Sequence, residues 1–344
     1  MKRLLNTLYV TSEGARLRKD GQNVVVEIDG VDRGRAPAHL LGQVVCFAGA
    51  EISPPLMSFC AEAGISIAFL STTGRFLARV EGPQSGNVLL RRAQHRRTED
   101  ADLALGIAQS IVAAKTANQR GVIRRALRDH GGAMATAPRD CLDLAERRLS
   151  DAARLALSAP DLDYLRGQEG EAANAYFAAF PHLLRNPDFG FSGRNRRPPR
   201  DPVNAVLSLL YVLLAQDCRA ACETHGLDPQ MGFLHRDRPG RMSLALDLME
   251  EFRAPMADRL CLSLFNRRQL ADRDFRAEET GAVLLSDSGR ETVLKAWQER
   301  KRETLRHAFF DEVAFFGLFP QMQAQLLARH LRGELDGYPA WIWR

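Results

Sequence analysis

The sequence predicts an α+β chain: a β-sandwich-like domain over residues 1–85, then a larger all-α domain over 101–344. Three observations predict it. Apolar and β-branched runs, two of them separated by Asp-Gly, occupy the first 85 residues. Turn chemistry crowds Glu81-Gly82-Pro83-Gln84-Ser85-Gly86, and residues 86–100 read as a linker. From residue 101 onward, apolar side chains recur every three or four positions.

The elements follow in order. Leu4–Val10 reads as a strand, Ala15–Lys19 as the next, and Asp20-Gly21 turns the chain into Asn23–Ile28. Gln43–Ala48 and Ile65–Leu70 are continuous apolar runs, the pattern of buried strands. Ser53–Ala63 between them reads as a helix with Ser53 at the N-cap and Pro54 at its first position. Arg75–Val80 closes the set. Helices are then predicted over Ala101–His130, Pro138–Leu157, Leu162–Phe180, Pro202–His225, Ser243–Arg253, Pro255–Arg267, Glu291–His307 and Gln321–Leu331, with a small β insertion at Phe275–Ser286. Pro202–His225 is apolar nearly all round, so it belongs inside a bundle.

Composition narrows the function. The 344 residues carry a formal net charge of +5, the sign expected for a polyanion partner. Arginine dominates the cations, and its planar fork suits phosphate. Six scattered cysteines read as reduced, cytoplasmic usage; Cys218, Cys222 and His225 are only loosely spaced like zinc ligands. Met1–Thr7 lacks the apolar core of a signal peptide, and the longest apolar run, Val206–Ala215, is ten residues. A bilayer span needs about 20, so no membrane partner is expected.

Three segments place ligand-type side chains inside apolar helical patterns. In Leu165–Phe177, Gly167 and Gly170 flank Glu169, and glycine in a helix costs about 1 kcal/mol relative to alanine. Such glycines make sense where another backbone or a ligand approaches closely. His235 stands in a turn-rich loop beside Arg236, Arg238 and Arg241. Asp247 and Glu250 share one face of the Ser243–Arg253 helix, at the border of its apolar stripe. Each has a plainer reading: a surface glutamate, a lone loop histidine, a solvated acidic face. Together they make an oxygen-rich set with one imidazole, suited to Mg²⁺ or Mn²⁺.

These segments resemble the universal CRISPR-associated integrase family. Its Gly-x-Glu-Gly-x-x-Ala-x-x-Tyr motif is matched by Gly167 to Tyr176, its Gly-Phe-x-His loop by Gly232 to His235, and its Leu-x-x-Asp-Leu-x-Glu-x-x-Arg helix by Leu244 to Arg253. Arg197–Asn204 and Gly86–Arg91 are also similar to family segments, and the whole looks closest to the subtype I-C branch. The resemblance implies that Glu169, His235 and Glu250 bind the metal, with Asp247 as a further acidic catalytic candidate of unassigned role. Some members have aspartate at the position of Glu250. It implies double-stranded DNA as substrate, a homodimer joined largely through the β domains, and a dimer of the small second-numbered CRISPR-associated protein between two such dimers. It leaves open a fourth-numbered Cas nuclease as a further partner. The expected reaction is attack of a 3′-OH of short duplex DNA on a phosphodiester at the edge of a repeat. Arg236, Arg238, Arg241 and Arg253 are the expected phosphate contacts, with a second cluster at Arg194, Arg196, Arg197 and Arg200. A repair nuclease acting on branched DNA would use the same residues. A non-catalytic DNA scaffold would explain the arginines alone, and a small-phosphoester hydrolase would bind DNA weakly.

Overall fold

The computed structural model describes residues 5–47, 49–82, 88–195 and 198–343. The β-rich part contains β1 (Asn6–Val10), β2 (Arg16–Asp20), β3 (Asn23–Ile28), β4 (Val31–Pro37), β5 (Leu41–Cys46), β6 (Glu51–Ile52), α1 (Pro54–Glu62), β7 (Ser66–Leu70) and β8 (Phe76–Val80). Two four-stranded sheets result, ordered β1-β5-β7-β8 and β4-β3-β2-β6. Val10, Val44 and Ile67 of the first meet Leu17 and Val24 of the second, together with Leu56 and Cys60 of α1, in one apolar core.

Side chains alternate along a strand, so the other face of the first sheet needs a cover of its own. Val45, Phe47 and Leu70 join the core of the helical part. That sheet is therefore buried on both faces, which explains why its strands are apolar without alternation. Strand β4 was not expected from the sequence. It is an edge strand with an exposed, charged stretch, Val31-Asp32-Arg33-Gly34-Arg35, a composition that discourages pairing with another chain.

The predicted linker is largely helix: α2 runs Val88–Glu99. Its Gln94 is fully buried, and its amide donates to the carbonyls of Asp228 and Met231, both at 2.8 Å. Then come α3 (Ala101–His130), α4 (Thr136–Leu157), α5 (Leu162–Ala179), α6 (Pro202–Thr224), α7 (Ser243–Phe252), α8 (Arg259–Asn266), β9 (Phe275–Ala277), β10 (Val283–Leu285), α9 (Asp287–Arg302), β11 (Thr304–His307), β12 (Glu312–Phe315) and α10 (Phe319–Leu331). Asp100, Asp161 and Asp201 cap α3, α5 and α6 by accepting hydrogen bonds from backbone N–H groups of the first turn. Helix α6 is long and apolar enough to span a bilayer, yet most of its surface is buried inside the bundle. The antiparallel hairpin β11–β12 replaces the predicted end of a helix. All six cysteines are unpaired.

Helix α7 packs against both α3 and α6 and is buried almost all round. Beyond Phe252 the chain continues as a π-helical turn, Arg253–Asp258. Pro255 lies within this turn and has no N–H to give to a regular helical ladder. Such turns recur at functional sites.

Candidate active site

Glu169 lies on the same side of α5 as Leu165, Ala172 and Tyr176, all buried. This orientation aims its carboxylate at the bundle interior. Glu250 projects from α7 toward the same point with its side chain only 3% exposed. His235 arrives from the loop between α6 and α7, its Nε2 4.0 Å from Glu250 Oε1. The structure thus sets His235 beside Glu250, with Glu169 on the inward side of α5. Glu169 and His235, at 29% and 21% exposure, form the open side, and Glu250 forms the floor.

Asp247 has a different task. It is fully buried, and its Oδ1 lies 2.6 Å from His235 Nδ1. Its Oδ2 accepts from the backbone N–H groups of Phe233 at 2.6 Å and Leu234 at 3.0 Å, and Oδ1 also accepts from that of His235 at 3.1 Å. One carboxylate therefore fixes both the loop backbone and the ring. With Nδ1 committed, Nε2 is the nitrogen turned to Glu250. Gly232 is required by the same packing: a Cβ there would lie 2.7 Å from Ser243 Cβ and 2.8 Å from Asp247 Oδ2. The glycines of α5 are not explained by the approach of another backbone. A Cβ at Gly167 or Gly170 meets no heavy atom within 4 Å, so no other part of the described chain approaches them.

Sequence reasoning missed the centre of the site. Lys115, on the buried face of α3, places its Nζ 2.8 Å from Glu250 Oε2 and in contact with Glu169 Oε1. A lone lysine in an apolar helix gives no sign of such partners. Arg253 donates through Nη1 to both oxygens of Glu250, at 2.8 and 3.1 Å, while its guanidinium stacks 4.4 Å from the centre of the Tyr211 ring. Burial by itself would raise the Glu250 carboxyl. Arg253, then Lys115 and His235, outweigh it and hold the group well below the usual carboxylate range.

The predicted phosphate-binding arginines divide. Arg253 and Arg194 turn inward instead of standing free at the surface. Arg194 binds Asn204 Oδ1 at 2.6 Å and Ser208 Oγ at 3.1 Å, and lies over Tyr211 at 5.2 Å. Arg236 is exposed and pairs with Asp163 at 2.8 Å, Arg238 is exposed, and Arg241 is half-buried beside the Arg236 carbonyl. Arg200 is exposed, and Arg196 and Arg197 lie outside the described residues, as do turn residues 83–87.

A second network braces the site from behind. Glu251, fully buried, accepts hydrogen bonds from Gln323 Nε2 at 2.8 Å, from the Tyr338 hydroxyl and from the Trp341 backbone N–H. Burial raises its carboxyl to about 8 despite these three donors. Asn118, one turn after Lys115, donates to the carbonyls of Glu251 at 2.7 Å and Trp341 at 3.0 Å, and accepts from the Trp343 N–H at 2.7 Å.

Among the described residues, no three histidine, cysteine or acidic side chains converge closely enough to hold a metal as they stand. The carboxylate oxygens at the centre are already shared with Lys115 and Arg253. The donor set itself, two carboxylates and one imidazole nitrogen around a point that already favours a cation, fits a hard divalent ion.

This β-then-helical architecture recurs in solved structures. The structure superposes on a Cas1 protein from Thermotoga maritima with a TM-score of 0.81 at 22% identity, over 96% of this chain and 97% of that one. It superposes on a casposase bound to its integration product with a TM-score of 0.83 at 19% identity, over 99% and 95%. A Cas6-RT-Cas1–Cas2 complex matches with a TM-score of 0.82 at 24% identity, over 100% of this chain and 36% of that one. The family model for CRISPR-associated protein Cas1 matches residues 8–299. A CRISPR-associated endonuclease Cas1 of Rhodospirillum rubrum is 57% identical and one of Chlorobaculum tepidum 46% identical, each over the full length of both chains. A Cas4 exonuclease–Cas1 endonuclease fusion of Geobacter sulfurreducens is 36% identical over 98% of this chain and 60% of the fusion. The chain belongs to the Cas1 family of CRISPR-associated endonucleases.

Proposed function

We propose that this chain is the divalent-metal-dependent integrase of CRISPR spacer acquisition, acting in the cytoplasm, and that it joins 3′-OH ends of short duplex DNA to the repeat. The observation that supports the reading is the placement of His235 Nε2 4.0 Å from Glu250, with Glu169 joined to Glu250 through the shared Lys115 ammonium and the imidazole oriented by Asp247. Glu169, His235 and Glu250 would hold Mg²⁺ or Mn²⁺. Bound there, the ion would act as a Lewis acid, stabilising charge on the phosphoryl and leaving oxygens.

The chain's own residues do the rest. Asp247 keeps the His235 ring from rotating, and Arg253 keeps Glu250 ionised and in place. In the reaction, the 3′-oxygen forms a new P–O bond as the repeat's P–O bond breaks; the attacking hydroxyl gives up its proton and the departing 3′-oxygen of the repeat takes one up. The 3′-OH attacks phosphorus directly, without a covalent enzyme intermediate, so no serine or cysteine nucleophile is needed. Water in place of the 3′-OH gives cleavage from the same centre. Arg236 and Arg238, exposed one and three residues after His235, would hold phosphates without base reading.

The Cas1–Cas2 complex and the Cas4 fusion among the related proteins support Cas2 and Cas4 as partners, and the motif resemblance supports a homodimer working with a Cas2 dimer. Motif similarity supports assignment to the subtype I-C branch. The test supplies a 3′-OH duplex, a supercoiled repeat-bearing target, Cas2 and Mn²⁺. Glu169→Ala and His235→Ala should abolish strand joining while duplex binding persists. Full joining by either variant overturns the site, and cleavage of branched DNA without joining at the repeat favours a repair nuclease.

A further inference from the structure

A lysine only 3% exposed is uncommon, because its ammonium must find partners that replace water. Lys115 has two, and they are the two carboxylates assigned above to the metal. Its Nζ uses Glu250 Oε2 and Glu169 Oε1, while the other Glu250 oxygen, Oε1, faces His235 Nε2 at 4.0 Å. A divalent ion bound by Glu169 and Glu250 draws on the same two carboxylates. Ammonium and ion are therefore competitors for one position.

The two cations beside Glu250 are built differently. Arg253 is a flat guanidinium stacked on Tyr211 and bonded to both Glu250 oxygens, a fixed clamp. Lys115 is a point charge on a flexible four-carbon stem, with three donors that rotate freely. It can leave the carboxylates by changing rotamer, without moving α3. Glu169 on the open side supplies the direction, since a phosphate bound at that mouth offers oxygen acceptors.

We propose that Lys115 is an exchangeable internal counter-ion: it holds Glu169 and Glu250 together before the ion binds, yields them on loading, and turns its ammonium to a phosphate oxygen of the DNA. The proposal rests on the metal reading above, and it makes Lys115 a positioning residue whose effect on the ion is competitive. Replacing it with a neutral side chain should remove the competitor, leave two buried carboxylates facing each other, and raise affinity for the ion.

The experiment compares the full-length wild type with Lys115→Met. Mn²⁺ binding is followed by the electron paramagnetic resonance signal of the free ion, and thermal unfolding is recorded in EDTA and in Mn²⁺. The expected result is Mn²⁺ affinity higher by about ten-fold or more in the variant. Its melting temperature should fall in EDTA and recover more on Mn²⁺ addition than that of the wild type. If Lys115→Met does not fold in EDTA, Lys115→Gln is measured in the same way. Unchanged or weaker Mn²⁺ affinity, with the same loss of melting temperature with and without Mn²⁺, overturns the exchange and leaves Lys115 a static structural partner. Absence of Mn²⁺ binding in both proteins overturns the metal reading itself, and the exchange falls with it.

Discussion

Asp247 Oδ1 sits 2.6 Å from His235 Nδ1 while the same carboxylate collects three backbone N–H groups of the 233–235 loop. Aspartate at this point thus orients the imidazole and shapes the loop at once, instead of serving as a fourth ligand. Asp247→Asn puts an NH₂ group where an acceptor is needed. Single-turnover strand joining should slow by about 10–100-fold, the usual cost of losing a group that orients a metal ligand. Duplex binding should change little. A wild-type joining rate in this variant would remove Asp247 from the site.

The glycines around the site should respond in opposite directions. Gly232→Ala forces a methyl against Ser243 and Asp247, so it should destabilise the fold by about 1–3 kcal/mol and slow joining. Gly170→Ala meets open space in a helix, so it should stabilise the free protein by about 1 kcal/mol. Urea unfolding of the two variants gives the signs directly.

Arg253 and Arg238 separate clamping from phosphate contact. Arg253→Met leaves Glu250 buried with only Lys115 and the more distant His235, and should cost about 3–5 kcal/mol of stability. Its effect on the salt dependence of DNA binding should be small. Arg238→Gln, at an exposed position, should leave stability unchanged and lower the salt slope by about 1. Equal salt slopes for wild type and Arg238→Gln would exclude Arg238 from the DNA contact.

Stability should depend on pH through Glu251. Its carboxyl rises from an ordinary 4.5 to about 8 on folding, so between these values the folded chain holds a proton that the unfolded chain has released. The stabilising contribution is fully present below about 4.5 and is lost as pH rises toward 8. The slope is about 1 kcal/mol per pH unit. Glu251→Gln should flatten this slope between pH 5 and 8, as read from denaturation midpoints across that range. An unaltered slope would show that Glu251 does not bind the proton.

Much of this architecture is legible in the sequence where one local rule acts without competition. Ala101–His130 matches its predicted span to the residue, because apolar periodicity runs up to the Gly131-Gly132 stop, and the structure adds an Asp100 cap. The candidate site residues Glu169, His235 and Glu250 are legible through short motifs in the right order. Lys115 is not, since its nearer carboxylate partner in sequence is 54 residues away and only the fold joins them. Strand β4 is hidden by its charged edge composition. The β11–β12 hairpin is hidden because the residues before it continue a helical pattern until Glu303 turns extended. The inward turn of Arg194 and Arg253 is also a tertiary effect, since both need the Tyr211 ring supplied by α6.

The grip of Glu251 and Asn118 on residues 338–343 carries a consequence for biosynthesis. Trp341 meets Glu251 across 90 residues and Asn118 across 223. In a nascent chain Glu169, His235 and Glu250 therefore emerge before the segment that braces their surroundings. Until residues 338–343 have joined Glu251 and Asn118, the centre lacks that support.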